Sequence, residues 1–428
     1  MIGVKAMMKA PIPIFKFKPF SKKQRKVLNW WCDSSPVKDM DGIIADGAIR
    51  SGKSVSMSLS FVLWAMTRFN GQSFAMCGKT VGSFRRNVLF WLKQMLIGRG
   101  FTIEENRSDN LCIISNNTAI NYFYIFGGRD ERSQDLIQGI TLAGIYLDEV
   151  VLMPESFVNQ ATGRCSVDDA KIWVNCNPAS PLHWFKTEWI DQAKRKHLLY
   201  LHFDMEDNLS LSEKTKDRYK RNFTGIFYER FILGKWILTE GIVYNSIFDE
   251  KKHVTEQDFD TLPVYYVSCD YGTQNATVFL LWHKLQDGRW LCEKEYYYSG
   301  RKQGKQKTDE EYCDDLIKFL NGIYIKGIII DPSAASFIEA LRRRKIVVIK
   351  AKNQVIDGIR FTSSLLSNEQ ILFRPCCKNT IQEFGLYSWM PNTPDDEVIK
   401  ENDHCMDAMR YFCYTHLATS KVGTTNIR

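Results

Sequence analysis

Residues 47–54 combine glycine, lysine and serine at the spacing of a phosphate-binding loop. The segment reads Gly-Ala-Ile-Arg-Ser-Gly-Lys-Ser, which matches G-x-x-x-x-G-K-S. Glycines let backbone N–H groups approach phosphate oxygens, Lys53 would reach the β- and γ-phosphates, and the Ser54 hydroxyl would ligate Mg²⁺. The positions expected at the nucleotide are Gly47, Arg50, Ser51, Gly52, Lys53 and Ser54. The pattern predicts a site for ATP with Mg²⁺; the alternative is a turn rich in glycine and serine that matches by chance.

The sequence on either side of the loop predicts the elements that would hold it. A short apolar strand at 42–45 leads in, and a helix at 53–68 leads out and offers its N-terminus to the anion. Gln24 lies upstream, where many ATPases with such a loop carry a glutamine that reads the adenine edge. A basic, solvated N-terminal helix accounts for Gln24 equally well, so both interpretations stay open.

Two later strands predict the other half of an ATPase site. An apolar strand ends in Asp148 and Glu149; Asp148 would hold Mg²⁺ through water, and Glu149 would polarise the attacking water as a general base. Many strands end in solvated carboxylates, but the position after a phosphate-binding loop favours catalysis. On the next predicted strand, Asn175 or Asn177 would sense the γ-phosphate, and an Asn-Pro turn that closes the strand is the alternative.

Negative charge builds on the γ-phosphate in the transition state, so the ATPase site is expected to need an arginine. Arg50 lies inside the loop and could act within its own chain. Arg129 and Arg132 lie on a polar segment before the acidic strand, and either could reach a neighbouring chain's site. A solvated loop explains this pair as well.

Acidic residues in the second half of the chain predict a metal-dependent nuclease. Asp270 and Asp331 lie at the ends of predicted strands. Asp403, His404 and Asp407 share one face of a predicted helix, because residues three and four apart are neighbours there. Clustered carboxylates repel each other without a cation, so two Mg²⁺ or Mn²⁺ ions about 3.5–4 Å apart are expected. Asp270, Asp331 and Asp407 are the predicted catalytic ligands, with His404 and Asp403 as secondary ligands.

The composition limits the class of protein. The chain has 428 residues, of which 44% are hydrophobic, so two or three domains can form cores of their own. A net charge of +8 permits a nucleic-acid partner. The 12 cysteines contain no C-x-x-C pair, which favours reduced thiols in a cytosol. No apolar run approaches the length of about 18 residues that a membrane span needs.

Taken in order, these motifs resemble the large terminase subunit of tailed bacteriophages. The likeness is carried by the loop at 47–54, by Leu-Asp-Glu at 147–149, and by the Asn-Pro and His-Trp pairs within 175–186. The Gly-Lys-Trp to Val-Tyr stretch at 234–244 resembles the segment that joins the two halves of those proteins. Here Ala48 replaces a second glycine, while Gly47 and Gly52 remain.

The resemblance implies an ATP-driven motor that moves double-stranded DNA into a procapsid, and a nuclease that cuts concatemeric DNA. It also implies a small terminase subunit and the portal protein of the procapsid as partners, and a homo-oligomeric ring during packaging. In such a ring Arg129 or Arg132 would act on the neighbour's ATP. The implied location is the host cytoplasm, with transient docking at the portal and absence from the mature virion.

We therefore predict an α/β protein in two parts. Residues 1–250 form a P-loop NTPase domain with a mainly parallel sheet and a linker, and residues 251–428 form an RNase H-like nuclease domain. The leading alternative is a helicase-like ATPase whose second domain binds DNA without catalysis. A metabolic phosphate-loop kinase is a further rival. Three converging acids distinguish the nuclease, since a binding domain does not need them.

Overall fold

The computed structural model describes residues 15–272 and 275–418, apart from the side chain of Lys302. These residues form two compact units, 15–219 with 229–237, and 220–228 with 238–418. The assignment of ATPase and nuclease domains to 1–250 and 251–428 stays a prediction. Every helix in the described part of the chain is too short or too polar to span a membrane.

The first unit contains a mixed sheet that is mainly parallel. Its strands are β1 (Gly42–Gly47), β2 (Ser73–Gly78), β3 (Thr102–Asn106), β4 (Leu111–Ser115), β5 (Ile120–Gly127), β6 (Gly144–Leu147), β7 (Lys171–Asn175) and β8 (Leu198–Phe203). Their spatial order is β3-β4-β5-β2-β6-β7-β1-β8. Strand β4 pairs antiparallel with both β3 and β5. All the other neighbours in this order, which are β5-β2, β2-β6, β6-β7, β7-β1 and β1-β8, pair parallel. Every residue of β1 and β6 is buried, as expected for strands that are covered on both faces.

Helices pack around this sheet. They are α1 (Lys22–Asn29), α2 (Lys53–Arg68), α3 (Val81–Phe84), α4 (Phe90–Leu96) and α5 (Glu155–Thr162). Helices α6 (Glu213–Asn222) and α7 (Gly225–Phe231) contain residues of both units. A π-helical turn, Arg85–Leu89, connects α3 to α4. Trp64 of α2 packs on Trp173 of β7, with ring centroids 4.7 Å apart, which fixes α2 over the centre of the sheet.

The second unit contains another mixed sheet. Its strands are β9 (Thr261–Asp270), β10 (Ala276–Leu285), β11 (Trp290–Ser299), β12 (Ile328–Ile330), β13 (Val348–Lys350) and β14 (Ile371–Phe373), in the spatial order β13-β12-β9-β10-β11-β14. Strands β9, β10 and β11 form an antiparallel meander. Strands β12 and β13 continue parallel to β9, and β14 lies parallel to β11. This is the RNase H-like arrangement, so the predicted fold class is confirmed.

Helices of the second unit bring its acidic residues to one end of the sheet. They are α8 (Glu250–His253), α9 (Gly300–Gln303), α10 (Asp309–Leu320), α11 (Ala335–Arg343), α12 (Val355–Ser367), α13 (Lys378–Phe384) and α14 (His404–Phe412). Asp270 ends β9, and Asp331 follows β12, its parallel neighbour. Helix α14 packs against β9 and β10. Asp270, Asp331 and the start of α14 therefore lie in the same region.

Candidate functional site

The loop between β1 and α2 has the backbone that a phosphate-binding loop needs. Gly47 has φ 124° and Gly52 has φ 87°, both in the region that side chains disfavour. A Cβ atom on Gly47 would lie 2.0 Å from the carbonyl oxygen of Phe203, so only glycine fits. Helix α2 begins at Lys53 without a side-chain cap, which leaves its first N–H groups available to an anion.

The ammonium group of Lys53 is held inside this loop. Its Nζ donates to the carbonyl oxygens of Gly47 at 2.9 Å and Ala48 at 2.6 Å, and to Ser51 Oγ at 3.1 Å. It also donates to Asn177 Oδ1 at 3.2 Å. Burial lowers the pKa of Lys53 to about 8. The lysine therefore lies where the motif predicts it, in contact with one of the two proposed sensor residues.

The other proposed sensor, Asn175, connects the remaining predicted ATPase residues. Its Nδ2 lies 2.9 Å from Asp148 Oδ1 and 3.3 Å from Ser54 Oγ, and its Oδ1 accepts the backbone N–H of Glu149 at 2.9 Å. Tyr146 completes the network, because its hydroxyl donates to Asp148 Oδ1 at 2.7 Å and lies 2.9 Å from Asn175 Nδ2. The sequence analysis missed Tyr146; its position two residues before Asp148, on the same strand face, is the available signal.

Glu149 has an unusual backbone for a residue other than glycine. Its φ is 57° and its ψ is 50°, in the left-handed region, immediately before the 3-10 turn Val150–Leu152. Such a conformation costs energy and persists only where the surroundings hold it. Here the hydrogen bond from its N–H to Asn175 helps to do so. The Glu149 side chain therefore starts from a backbone position that this turn fixes.

Gln24 lies beside the loop at the start of α1. Its Oε1 accepts the N–H of Ser21 at 3.0 Å, as part of a capping box. Its Nε2 is so near Gly52 that a Cβ atom there would approach it to 2.2 Å. Gln24 and Gly52 line a cavity of about 260 Å³, together with residues 15–20 and Asn208. Gln24 therefore both caps a helix and faces a space next to the loop.

The three candidate arginines differ in their surroundings. Arg50 has φ 58°, and its guanidinium lies 5.5 Å from the centre of the Tyr219 ring. Arg129 is exposed, and its backbone N–H donates to Ser133 Oγ at 3.1 Å. Arg132 is exposed within the 3-10 turn Glu131–Ile137. Arg50 thus lies in the loop, and the other two present their side chains to solvent.

In the second unit, Asp270 and Asp331 have different partners. Asp270 Oδ2 lies 2.9 Å from His404 Nδ1, and burial raises the pKa of Asp270 to about 6. Asp331 accepts hydrogen bonds from the backbone N–H of Ser333 at 2.7 Å and from Asn353 Nδ2 at 3.2 Å. Burial opposes ionisation of Asp331, but these hydrogen bonds lower its pKa below the usual value. Asp331 is therefore held as a carboxylate.

Positive side chains compensate the acids at the start of α14. Asp407 Oδ1 accepts from the buried guanidinium of Arg410, at 2.7 Å from Nη2. Lys400 Nζ lies 3.7 Å from Asp403 and 3.8 Å from Asp407. The backbone N–H of Asp407 donates to the carbonyl oxygen of Asp403 at 2.7 Å. The sequence analysis missed both Arg410 and Lys400.

Tyr411 of α14 lies beside one of the predicted nuclease acids. Its hydroxyl lies 3.4 Å from Asp331 Oδ2. Burial raises the pKa of Tyr411, and the charges of Asp407, Asp270 and Asp331 add to that effect. Carboxylates suit Mg²⁺ and Mn²⁺. However, within residues 15–272 and 275–418 no three His, Cys, Asp or Glu side chains lie close enough together to hold one metal ion. The ligand set stays a prediction.

Glu383 of α13 stabilises the start of α14. Its carboxylate is 4% exposed and accepts the N–H groups of Cys405 at 2.7 Å and Met406 at 3.3 Å. Burial raises the pKa of Glu383 to about 7. The first turn of α14, which carries His404 and Asp407, is therefore capped by a buried acid that sequence patterns did not reveal.

The fold and the loop geometry define a phosphate-loop nucleoside triphosphatase joined to an RNase H-like unit. A family model described as "Terminase large subunit, T4likevirus-type, N-terminal" matches residues 44–249. The large terminase of a thermophilic bacteriophage is 56% identical, with a TM-score of 0.89 over 94% of this chain and 100% of that one. The chain belongs to the large-terminase family of tailed bacteriophages.

Two further comparisons add detail. The large terminase of the same thermophilic bacteriophage has also been solved in complex with ATP-gamma-S; that structure is 55% identical, with a TM-score of 0.86 over 93% of this chain and 100% of that one. The large terminase subunit of Escherichia phage T5 is 23% identical over 167 residues. That match spans 37% of this chain and 36% of the length of the T5 protein.

Proposed function

We propose that this chain hydrolyses ATP to move double-stranded DNA into a procapsid and cuts concatemeric DNA with a metal-dependent nuclease. The observation that carries the proposal is the position of Asn175. Its amide contacts Ser54, Asp148 and the backbone of Glu149, the residues that ATP hydrolysis requires. The complex of the thermophilic-phage relative with ATP-gamma-S supports nucleotide binding by this chain.

At the ATPase site each residue has a distinct role. Lys53 would exchange its contacts with the carbonyl oxygens of Gly47 and Ala48 for phosphate oxygens. Ser54 and Asp148 would hold Mg²⁺, which when bound neutralises charge on the phosphates. Glu149 would accept a proton from the attacking water, with its backbone fixed by Asn175. Asn177, which touches Lys53, would register whether the γ-phosphate is present, and Gln24 would face the adenine.

At the nuclease site Asp270, Asp331 and Asp407 would hold two Mg²⁺ or Mn²⁺ ions, with His404 and Asp403 as secondary ligands. Such ions activate water and stabilise the leaving oxygen of a phosphodiester. The protein's own part is to hold these carboxylates in one region and to balance their negative charge before metal binds. Lys400 Nζ lies 3.7 Å from Asp403 and 3.8 Å from Asp407, and His404 Nδ1 lies 2.9 Å from Asp270.

The same proposal includes the partners and the location. They are double-stranded DNA, a small terminase subunit, and the portal protein of a procapsid in the host cytoplasm. We also propose that the chain forms a ring during packaging, in which Arg129 or Arg132 reaches the neighbouring ATP. Exposure of both side chains supports this role.

One observation favours the alternative of a helicase-like ATPase with a second unit that only binds DNA. As described above, no three potential ligands within residues 15–272 and 275–418 are close enough to hold a metal ion. The nuclease proposal therefore requires Lys400 and His404 to give up their present acidic partners when metal binds. The two proposals differ in whether the purified chain cuts DNA.

The test measures phosphate release and plasmid linearisation with Mn²⁺ on each purified protein. Lys53→Ala should lose phosphate release and keep DNA cutting. Asp331→Ala should lose cutting, keep phosphate release, and still package a linear DNA that needs no cut. Independent loss is expected because the two sites share no residue. Circular dichroism controls for the fold.

The outcomes separate the proposals. Wild-type ATP turnover by Lys53→Ala would remove the ATPase assignment. Cutting by Asp331→Ala at the wild-type rate would remove the nuclease assignment. ATP turnover without any cutting by the wild-type protein would leave the helicase-like alternative.

The ring and its arginine have a separate test. Mixing Arg129→Ala chains with Lys53→Ala chains should restore part of the ATP turnover, because an intact arginine then meets an intact loop across the interface. The same mixture with Arg132→Ala compares the two candidates. No recovery in mixtures that assemble would exclude action between chains for both.

A further inference from the structure

Asp46 is a buried carboxylate directly before the phosphate-binding loop, and the roles above do not use it. It is 0% exposed. Its Oδ1 lies 3.0 Å from His202 Nδ1, and its Oδ2 accepts from Trp236 Nε1 at 2.7 Å. The hydroxyl of Tyr200 also hydrogen bonds to it. Asp46 is thus surrounded by donors from β8 and from the segment around Trp236.

A fully buried carboxylate needs these partners. Burying an ionised group costs several kcal/mol unless hydrogen bonds and an opposite charge compensate. The hydrogen bond with Asp46 raises the pKa of His202, which favours the imidazolium that would supply this charge. An apolar residue of similar size would fill the space without that requirement. The presence of an acid here therefore calls for a role beyond packing.

Residues 229–237, which we name the strap, contact the loop at more than one point. The N–H of Ile49 donates to the carbonyl oxygen of Phe231 at 2.8 Å. Gly234 packs so closely that a Cβ atom there would lie 3.0 Å from the backbone nitrogen of Ala48. Trp236 bonds to Asp46. The strap is therefore attached to residues on each side of Gly47.

The charge of Asp46 also reaches Lys53. Burial dominates the lowered pKa of Lys53, and the negative charge of Asp46 acts in the opposite direction. If Asp46 lost a donor, its negative charge would be less compensated, and it would compete more strongly with the phosphates for the charge of Lys53. The donors on Asp46 thus keep this acid from competing with the nucleotide.

We propose that Asp46, His202 and Trp236 are positioning residues that join the nucleotide loop to the strap, so that the strap responds to nucleotide binding. This inference rests on the proposed binding of ATP at the loop. Phosphate would free the carbonyl oxygens of Gly47 and Ala48 from Lys53, and the strap contacts the same stretch of chain through Asp46 and Ile49. A ligand shifts such an element only if the two states differ in their contacts. The bonds at Asp46 supply that difference.

The position of the strap in the sequence gives the coupling a direction. Its last residue, Ile237, precedes Leu238, where the second unit resumes. The strap is therefore the last segment of the first unit before the chain enters the unit that carries Asp270 and Asp331. The hydrogen bond from Trp236 to Asp46 can be removed by a single substitution that keeps an aromatic ring.

The first experiment titrates the full-length protein with ADP and ATP-gamma-S in the presence of Mg²⁺ and records tryptophan emission. Trp236→Phe removes the indole N–H and keeps an aromatic ring. Trp91→Phe is the matched control, because Trp91 is 49% exposed on α4. We expect an emission change in the wild type that Trp91→Phe keeps and Trp236→Phe loses. Trp236→Phe should also raise KM for ATP about tenfold and change kcat much less.

The second experiment tests the contact between Asp46 and His202 of β8. His202→Ala should raise KM as Trp236→Phe does, whereas His202→Asn should restore it, because the asparagine amide can donate from near the position of Nδ1. Wild-type emission changes and KM in both Trp236→Phe and His202→Ala would overturn the inference while the ATPase proposal stands. Failure of the wild-type protein to bind either nucleotide would overturn both. Equal loss in His202→Ala and His202→Asn, with unchanged melting temperatures, would also count against the inference.

Discussion

The nucleotide site and the acidic site are held together by different forces. Around the phosphate loop, glycine geometry, backbone carbonyl groups and the amides of Asn175 and Asn177 fix the functional groups. Around Tyr411, charged side chains balance one another, as Arg410 does with Asp407. Hydrogen bonds to backbone carbonyl groups and side-chain amides have fixed directions, whereas ion pairs can exchange partners. The first site is therefore organised before its ligand arrives, and the second is organised by charge.

The difference has a consequence for mutations. A change in the nucleotide site should reduce chemistry more than stability, because the loop is set by its backbone. A change in the acidic site should alter stability as well, because each charge there is the partner of another. Removing one member of a buried pair leaves an uncompensated charge.

Glu149→Gln should give the largest effect on chemistry. The amide keeps the shape of the side chain and its fixed backbone but cannot accept a proton from water. We expect ATP turnover to fall about 10²- to 10⁴-fold with little change in nucleotide affinity or melting temperature. Rapid-quench hydrolysis and nucleotide titration measure the two quantities. Loss of nucleotide binding would show that Glu149 supports the structure of the loop.

Arg410→Met should give the largest effect on stability. The guanidinium is 2% exposed and bonds to Asp407, so its removal leaves a buried carboxylate without its main partner. We expect the second unit to lose about 3–5 kcal/mol of unfolding free energy. Arg344→Met is the matched control, because Arg344 pairs with Glu310 and Asp314 in a more exposed setting. Equal destabilisation by both substitutions would contradict the proposed role of charge balance.

Asn175→Ala tests whether the nucleotide site depends on one amide. It removes the contacts to Ser54, Asp148 and Glu149 together, and misplacement on the order of 1 Å costs about 10²-fold in rate. Asn121→Ala is the control, because Asn121 is equally buried and bonds to the backbone of Ala65, Phe69 and Gln72. Both variants should lose stability, and only Asn175→Ala should lose kcat. Similar kcat values would remove Asn175 from the site.

The fold was largely predictable from the sequence because its main elements have strong local signals. Helix α2 was expected at 53–68 and occupies those residues, and Asp270 was expected at the end of a strand and ends β9. Short strands such as β8 and β14 were missed. Strand β8 nevertheless carries Phe203, whose carbonyl oxygen accepts the backbone N–H of Ala48 at 2.8 Å. Such strands depend on pairing with distant neighbours, which a local pattern does not reveal.

The candidate site was less predictable than the fold. Residues in motifs, such as Lys53 and Asp148, could be named from spacing alone. Tyr146 could have been found from its spacing to Asp148, whereas Asn353, the partner of Asp331, lies on another element and looks like an ordinary loop residue. Only the folded chain brings Asn353 within 3.2 Å of Asp331. Partners that meet through tertiary structure have no fixed spacing, and for this reason the sequence could not supply them.

Glu383→Gln should give the smallest effect and one that depends on pH. Burial raises the pKa of Glu383 to about 7, from a usual value of 4.5. The native state therefore binds its proton more tightly than the unfolded state, and the stability from this group falls as the pH rises from about 4.5 to 7. Glutamine resembles the protonated form and does not titrate. The variant should thus gain stability relative to the wild type across this window, by at most about 3 kcal/mol.

Hydrogen exchange of the amides in α14 measures this effect locally, because Glu383 caps that helix. The control is Glu295→Gln, which alters the carboxylate that accepts from the backbone and side chains of Asn379 and Thr380. Neutralising Glu295 should weaken these contacts and lower stability at neutral pH, which is the opposite sign. If Glu383→Gln also lowers protection of α14 at pH 7.5, then the cap needs a charged acid. The acidic site would in that case be fixed by directed hydrogen bonds, as the nucleotide site is, and the contrast between the two sites would not hold.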